Sequence, residues 1–286
     1  MELWFTERNT NYVNFSIKVK EQLYSKKSKF QQIDVFDTYE FGKVLVIDGY
    51  VMITEKDEFI YHEMITHVAM ATNPEIKNVL VIGGGDGGSI RELTRYNSIE
   101  NIDMVEIDKE VVEISKKFFP QTSCKYDDER VALYFEDGIK FVEGKHNIYD
   151  LIIVDSTDPI GPGEGLFTKA FYQNCYDALT EYGILVNQNE SPYYKNTASD
   201  LIRAYSKLEA IFPIAKAYQY HMPTYASGHW IFGFASKRLD PIKDFKPERW
   251  ESLGLKTKYY NTDIHVGAFA LPTYVKEMLK IKEYNL

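Results

Sequence analysis

From Lys77 onward the chain alternates short apolar runs with stretches of helical character. The runs are "NVLVIG", "NIDMVEID", "ALYFED", "YDLIIVDS" and "GILVNQ"; between them lie "GSIRELTRY", "EVVEISKKFF", "GIKFVEG" and "FTKAFYQNCYDALTEYG". Such alternation predicts an α/β fold, a doubly wound Rossmann-like sheet with right-handed crossovers. "ASDLIRAYSKLEAIFP" adds a helix, and "IAKAYQYHMPTY" and "HWIFGFASK" add strand-like runs. Sheets of this kind bind ligands beyond the carboxyl ends of their strands, where the strand order reverses. The residues at the strand ends are therefore the ones to read.

The first sixty residues have another pattern. "NFSIKVKEQLYSKKSKFQQIDVF" alternates apolar and polar residues, and Asp48-Gly49 joins "KVLVI" to "YVMIT". Asp-Gly between two β-rich runs is a hairpin signal. Two domains follow: a small antiparallel β domain over 1–65 and a Rossmann-like domain over 66–286. "FIYHEMITHVAMAT" has the spacing of a connecting helix that stops before Asn73-Pro74.

The five strand ends carry acids and one amide. The first opens "GGGDGGS", where Gly83, Gly85 and Gly88 satisfy G-x-G-x-x-G. Asp86 inside this loop would repel a dinucleotide pyrophosphate, so a smaller nucleoside ligand fits better than NAD or FAD; capping of the next helix is the other reading of Asp86. Glu106, about 20 residues on, stands where a ribose ligand is placed, or is a solvated strand-end acid. Asp137 is an adenine reader or plain Asp-Gly turn chemistry. Asp155 ends the apolar run "LIIV", and Asp158 follows at the head of the Gly- and Pro-rich "PIGPGEG", which reads as a loop over the pocket. For Asp158, a turn-initiating acid before proline is the alternative. Gln188 closes the fifth run.

Several classes are excluded. A net charge of -9 argues against a nucleic-acid partner. No apolar run reaches the roughly 20 residues of a bilayer span, and the N-terminus lacks an apolar signal core, so no membrane association is expected and the location is cytoplasmic. Cys124 and Cys175 form no C-x-x-C pair and fit a reducing compartment. "YHEMITH" misses H-E-x-x-H by one residue: five helical residues turn about 500°, leaving His62 and His67 roughly 140° apart. No metal and no serine triad are expected. Asp86, Glu106, Asp137, Asp155 and Asp158 share one rim without a Lys or Arg cluster, an arrangement that suits a nucleoside ligand together with cationic groups.

At this point the sequence resembles the spermidine synthase (putrescine aminopropyltransferase) family, in "WFTE", "SKFQQIDVF", "GKVLVIDGYVMITEKDEFIYHEM", "VLVIGGGDGGSIREL", "VEIDKEVVEISKKFFP", "DSTDPIGPGEGLF", "PTYASGHWIFGFASK" and "KYYNTDIHVGAFALP". The resemblance covers essentially the whole chain. It implies an N-terminal β domain before a methyltransferase-type Rossmann domain. It implies transfer of an aminopropyl group from decarboxylated S-adenosylmethionine to putrescine, giving spermidine and methylthioadenosine. The donor is a co-substrate; no metal or redox cofactor is implied, and the assembly is a homodimer or homotetramer. Carried over by position, Gln31, His62, Asp86, Glu106, Asp137 and Gly138 resemble the donor-binding set, with Asp86 on the ammonium of the aminopropyl group. Asp155 resembles the general base. Tyr61, Asp158, Gln188 and Tyr225 resemble the putrescine contacts. Tyr12 stands where some members have Trp. The rivals are an S-adenosylmethionine methyltransferase, whose donor carboxylate Asp86 would repel, and a polyamine sensor, which would need no base.

Overall fold

The computed structural model describes residues 2–156 and 161–281, the side chains of residues 161, 162 and 164 excepted. Five strands, β1 (Leu3–Arg8), β2 (Asn14–Lys27), β3 (Gln32–Thr38), β4 (Lys43–Ile47) and β5 (Tyr50–Thr54), form an antiparallel sheet in chain order. The β4–β5 turn is tight because Asp48 and Gly49 both take positive φ, 49° and 88°. Turns of that hand match the twist of the strands they join. Ile33, Val35, Leu45, Ile47 and Ile53 alternate onto one face of this sheet. They pack on Val111, Ile114 and Phe119.

Helix α1 (Glu58–Thr72) follows and is buried along nearly its whole length; residue 65 lies within it. Most of its buried polar side chains have partners. Glu63, for example, accepts from the backbone N–H groups of Lys258, Tyr259 and Tyr260 at 2.8 to 3.2 Å, tying the C-terminal segment to the helix.

The second sheet alternates strands and helices: β6 (Asn78–Gly83), α2 (Gly88–Leu93), β7 (Asn101–Val105), α3 (Lys109–Phe118), β8 (Val131–Tyr134), α4 (Gly138–Val142) and β9 (Tyr149–Asp155). A 3₁₀ turn over Gly161–Phe167 leads into α5 (Lys169–Ala178), β10 (Leu179–Gln188), α6 (Lys195–Ile211), β11 (Ile214–His221) and β12 (His229–Ser236). The strand order is β11-β12-β10-β9-β6-β7-β8. From β8 to β10 neighbours run parallel, and β12 is antiparallel to β10 and β11. The order reverses between β6 and β9, which is where a ligand crevice opens. The fold is Rossmann-like and methyltransferase-type, behind an N-terminal antiparallel sheet. Among the described residues no helix is long and apolar enough to cross a membrane.

Residues 179–183 depart from expectation. "LTEYG" continues the helical reading of the segment before it, yet β10 begins at Leu179, which pairs with Tyr149. The chain bulges before pairing resumes at Ile184 with Leu151. Gly183 disfavours a helix, the β-prone Thr180 and Tyr182 favour the extended form, and Thr180 Oγ1 donates to Asp150 at 2.9 Å. The C-terminal segment, unassigned in the sequence reading, forms α7 (Pro247–Glu251), α8 (Thr262–Ala268) and α9 (Thr273–Met278).

Candidate active site

The strand order sets the site. Read across β8, β7, β6, β9 and β10, the carboxyl ends carry Asp137, Glu106, Asp86, Asp155 and Gln188. Neighbouring strands lie about 4.8 Å apart, so four steps spread these groups over roughly 19 Å of one rim. All five line a single cleft enclosing about 1240 Å³, its open mouth included. Gln31, Tyr61, His62, Gly138 and Tyr225 line it too, and no lysine or arginine is among its described lining residues.

Asp155 sits at the reversal point. The glycine loop folds onto its backbone: Gly84 N–H donates to the Asp155 carbonyl at 2.7 Å. A Cβ on Gly83 would stand 2.1 Å from that oxygen, and Gly83 also has a φ of +85°. Only glycine meets both demands. The Asp155 carboxylate is buried and holds two donors, Tyr61 Oη on Oδ1 at 2.7 Å and Ser89 Oγ on Oδ2 at 2.6 Å. Burial, and after it the charge of Asp86, raise its pKa above the ordinary carboxylate value; His62, Ser89 and Tyr61 oppose the rise. Such a carboxylate is tuned toward accepting a proton.

Asp86 lies in the loop just before α2, whose N-cap is Gly87. Its Oδ1 accepts from Gly88 N–H at 2.8 Å at the start of α2, and its side chain lines the cleft. Beside it, His62 Nε2 stands 3.0 Å from the same oxygen, while His62 Nδ1 lies 2.6 Å from Glu58 Oε2. Arg91 closes the group by donating to both oxygens of Glu58, at 2.8 and 2.9 Å. The His62 ring lies flush on α2: a Cβ on Gly88 would meet it at 2.2 Å. That contact explains the third glycine of the loop. His62, Asp86 and Asp155 bring one polar atom each within 4.8 Å of one another. Because both His62 nitrogens already face carboxylates, the ring is committed to that network.

Glu106 is buried with Oε1 on Asp108 N–H at 2.9 Å. Burial raises its pKa to about 7, with the charges of Asp108, Asp155 and Asp86 adding to the rise. Asp108 caps α3 as its position suggests, accepting from Glu110 N–H at 3.1 Å, and also binds Ser28 Oγ and Gln31 Nε2. Gln31 thus ties the N-terminal sheet to this rim. Asp137 caps α4 through Ile139 N–H at 2.9 Å while facing the cleft. Tyr225 donates to Met52 O at 2.5 Å, joining the cleft's far wall to the β5 hairpin strand. Asp158 falls outside the described residues; of the glycine- and proline-rich stretch, Gly163 and Leu166 line the cleft. Tyr12 is 95% exposed in the turn after β1.

A spermine/spermidine synthase domain model matches residues 58–247, and a spermidine synthase tetramerisation domain model matches residues 3–55. The chain belongs to the spermine/spermidine synthase family. The polyamine aminopropyltransferase of Alkaliphilus oremlandii is 66% identical over 99% of this chain and all of its own length. That of Clostridium botulinum (strain Eklund 17B) is 67% identical over 98% of each chain. Among solved structures, a spermidine synthase in complex with the transition-state analogue AdoDATO superposes with a TM-score of 0.95 at 44% identity, covering 98% of this chain and 95% of its own. The spermidine synthase of Thermotoga maritima gives 0.92 at 43% identity, covering 98% and 94%. The protein is an aminopropyltransferase.

One lining residue of this aminopropyltransferase's cleft, Glu7, and three that bond to lining residues or their partners, Glu58, Ser89 and Arg91, carried no role in the sequence. Glu7 is the one fully buried residue of β1 and accepts from Val51 N–H at 2.7 Å. Its signal was available: it is an acid in phase with Phe5 on a strand's inward face. Glu58 is one helical turn before His62, a spacing that brings side chains together. Ser89 and Arg91 left no local signal, since their partners are distant in sequence.

Proposed function

We propose that this aminopropyltransferase moves the aminopropyl group of decarboxylated S-adenosylmethionine onto putrescine, giving spermidine and methylthioadenosine. The carrying observation is the row of strand-end groups: Asp137 and Glu106, then two adjacent acids, Asp86 and Asp155, then Gln188, all in one cleft. A donor lying along this row puts its adenine by Asp137 and Gly138, its ribose by Glu106 and its terminal ammonium by Asp86. The relative bound to a transition-state analogue supports this use of the cleft.

In the proposed reaction Asp155 is the base. A diamine nitrogen with a lysine-like pKa is unprotonated in roughly one molecule in 2,500 at neutral pH. Asp155 orients that nitrogen and takes its proton as the lone pair attacks the methylene carbon beside the sulfonium. The C–N bond forms, the C–S pair moves onto sulfur, and neutral methylthioadenosine leaves. Tyr61, Gln188 and Tyr225 flank the acceptor, and Asp158 holds its distal amine. Gln31 braces the nucleoside side, and His62 supports Asp86. Apolar walls from Ile82, Ile139 and Leu166 keep water from the reacting atoms. No step needs a metal or redox cofactor.

Asp86 also selects the donor. Intact S-adenosylmethionine would bring a carboxylate near it, and at about 4 Å and an effective dielectric near 20 the repulsion is about 4 kcal/mol. We further propose a cytoplasmic enzyme without nucleic-acid or membrane partners, assembled as a homodimer or homotetramer through its N-terminal sheet; the match of that sheet to a tetramerisation domain supports the assembly. The acceptor is tested by kcat/KM for putrescine, cadaverine, agmatine and spermidine with the decarboxylated donor. Putrescine should rank first. A higher value for any other acceptor overturns that assignment.

A further inference from the structure

His62 has no face left for a neutral ring. Its two nitrogens stand 2.6 Å from a Glu58 oxygen and 3.0 Å from an Asp86 oxygen, and the ring is fully buried. A neutral imidazole carries a single N–H, so either tautomer would leave an unprotonated nitrogen within 3.0 Å of a carboxylate oxygen. Arg91 settles which way the network is charged. Its two-pronged bond holds a permanent cation on Glu58, and against burial His62 and then Arg91 bring that carboxyl's pKa down to about 2, so it stays ionised. An ionised Glu58 holds the proton on Nδ1, and Asp86 then requires a second proton on Nε2.

We propose that Arg91 and Glu58 are positioning residues that act through a doubly protonated His62, fixing the Asp86 carboxylate for the ammonium of the aminopropyl donor. The proposal rests on the reading of Asp86 given above. Asp86 Oδ1 accepts from Gly88 N–H and pairs by charge with His62 Nε2 at 3.0 Å, which leaves Oδ2 for the ligand. The network begins at a guanidinium on α2, behind the cleft lining, and ends at the reacting end of the donor. Arg91 Nε also reaches Glu92 on α2 at 2.9 Å, and α2 is clamped to α1 by Arg91 on Glu58 and Glu92 beside His67.

The groups that face the ring are few. Glu58 and the edge of Tyr61 come from α1, Asp86 and the Gly88 backbone from the glycine loop and α2, and Asp155 from β9. Arg91 stands behind Glu58. Burial pushes the His62 pKa down, but Asp86 and then Glu58 raise it to about 10. The imidazolium thus persists across the whole neutral range.

The test is Glu58→Gln, which keeps the shape and removes the charge that holds the proton on Nδ1. Its His62 should titrate back toward the ordinary value of about 6.5. Above that pH the ring gives up its Nδ1 proton, the introduced amide donates to Nδ1 instead, and Asp86 loses the imidazolium charge beside it. The ratio of variant to wild-type kcat/KM for decarboxylated S-adenosylmethionine should fall at least tenfold between about pH 6 and about pH 8.5. In Glu58→Gln/His62→Gln, whose amide cannot titrate, that fall should vanish. A pH-independent ratio in Glu58→Gln, or an unchanged fall in the double variant, overturns the proposal. Nitrogen-15 NMR of histidine side chains in the ligand-free wild-type protein reads the same question without substrate or variant. At about pH 8 His62 should show two protonated ring nitrogens, and a neutral tautomer there overturns the proposal even if the donor assignment is itself wrong. Doubly protonated His62 in a protein that ignores the decarboxylated donor would instead overturn the Asp86 reading.

Discussion

Glu106→Gln should move stability and ligand affinity in opposite directions. Glu106 is buried among Asp108, Asp155 and Asp86, and its pKa rises from 4.5 to about 7. A carboxyl raised on folding is a penalty at high pH: the unfolded chain ionises it near 4.5 at no cost, whereas the folded chain resists until about 7. The penalty is absent below about pH 4.5, grows between 4.5 and 7, and is complete above 7. At about 1.4 kcal/mol per pH unit it amounts to about 3 kcal/mol. Glutamine keeps an oxygen for the Asp108 N–H and offers its amide to neighbouring carboxylates. Urea unfolding of both proteins, at one protein concentration, should show Glu106→Gln more stable by about 3 kcal/mol at about pH 8, and by less than about 1 kcal/mol at about pH 5. If Glu106 takes the ribose hydroxyls as proposed, methylthioadenosine should bind the variant at least tenfold more weakly, a charged acceptor being lost. An equal stability difference at both pH values would refute the claim that Glu106 is held ionised at a cost.

Three further outcomes follow from the same geometry. Ser89→Ala removes a donor that favours ionised Asp155, so its pKa rises further and the acid limb of the kcat profile should move to higher pH; an unmoved limb would separate Asp155 from that limb. Gly88→Ala places a Cβ 2.2 Å from the His62 ring and should cost on the order of 1–3 kcal/mol, with recovery in Gly88→Ala/His62→Ala. If the second substitution restores nothing, the contact is not the cause. Asp137→Ala should lose about 1 kcal/mol of helix capping together with methylthioadenosine affinity; loss of stability alone would leave Asp137 a cap and nothing more.

The sequence made the strand ends legible because a parallel strand is a short apolar run that stops abruptly, and ligands gather where such strands stop. Asp86, Glu106, Asp137, Asp155 and Gln188 could be named on that basis. Their order along the rim could not, because it depends on strand order, which residue patterns do not encode. The local propensity of 179–183 misled for a related reason: pairing of Leu179 with Tyr149 decides that segment, not its helical neighbours. His62 and His67 were correctly separated by helical geometry, yet their partners were invisible. The structure sends His62 to Glu58 and Asp86, and His67 to Tyr96 and Glu92. Contacts between α1 and α2 are tertiary facts, and only the Glu58–His62 spacing hinted at them.

The central claim is that two adjacent acids at the β6 and β9 strand ends carry aminopropyl transfer to a diamine. Mass spectrometry of the products tests it most directly, with the purified protein, putrescine, and either decarboxylated S-adenosylmethionine or S-adenosylmethionine. Spermidine and methylthioadenosine are expected from the decarboxylated donor alone, with turnover lowered by on the order of a thousandfold in Asp155→Asn. Spermidine formation at a near-normal rate by Asp155→Asn, or a methylated product from the intact donor, would contradict the claim.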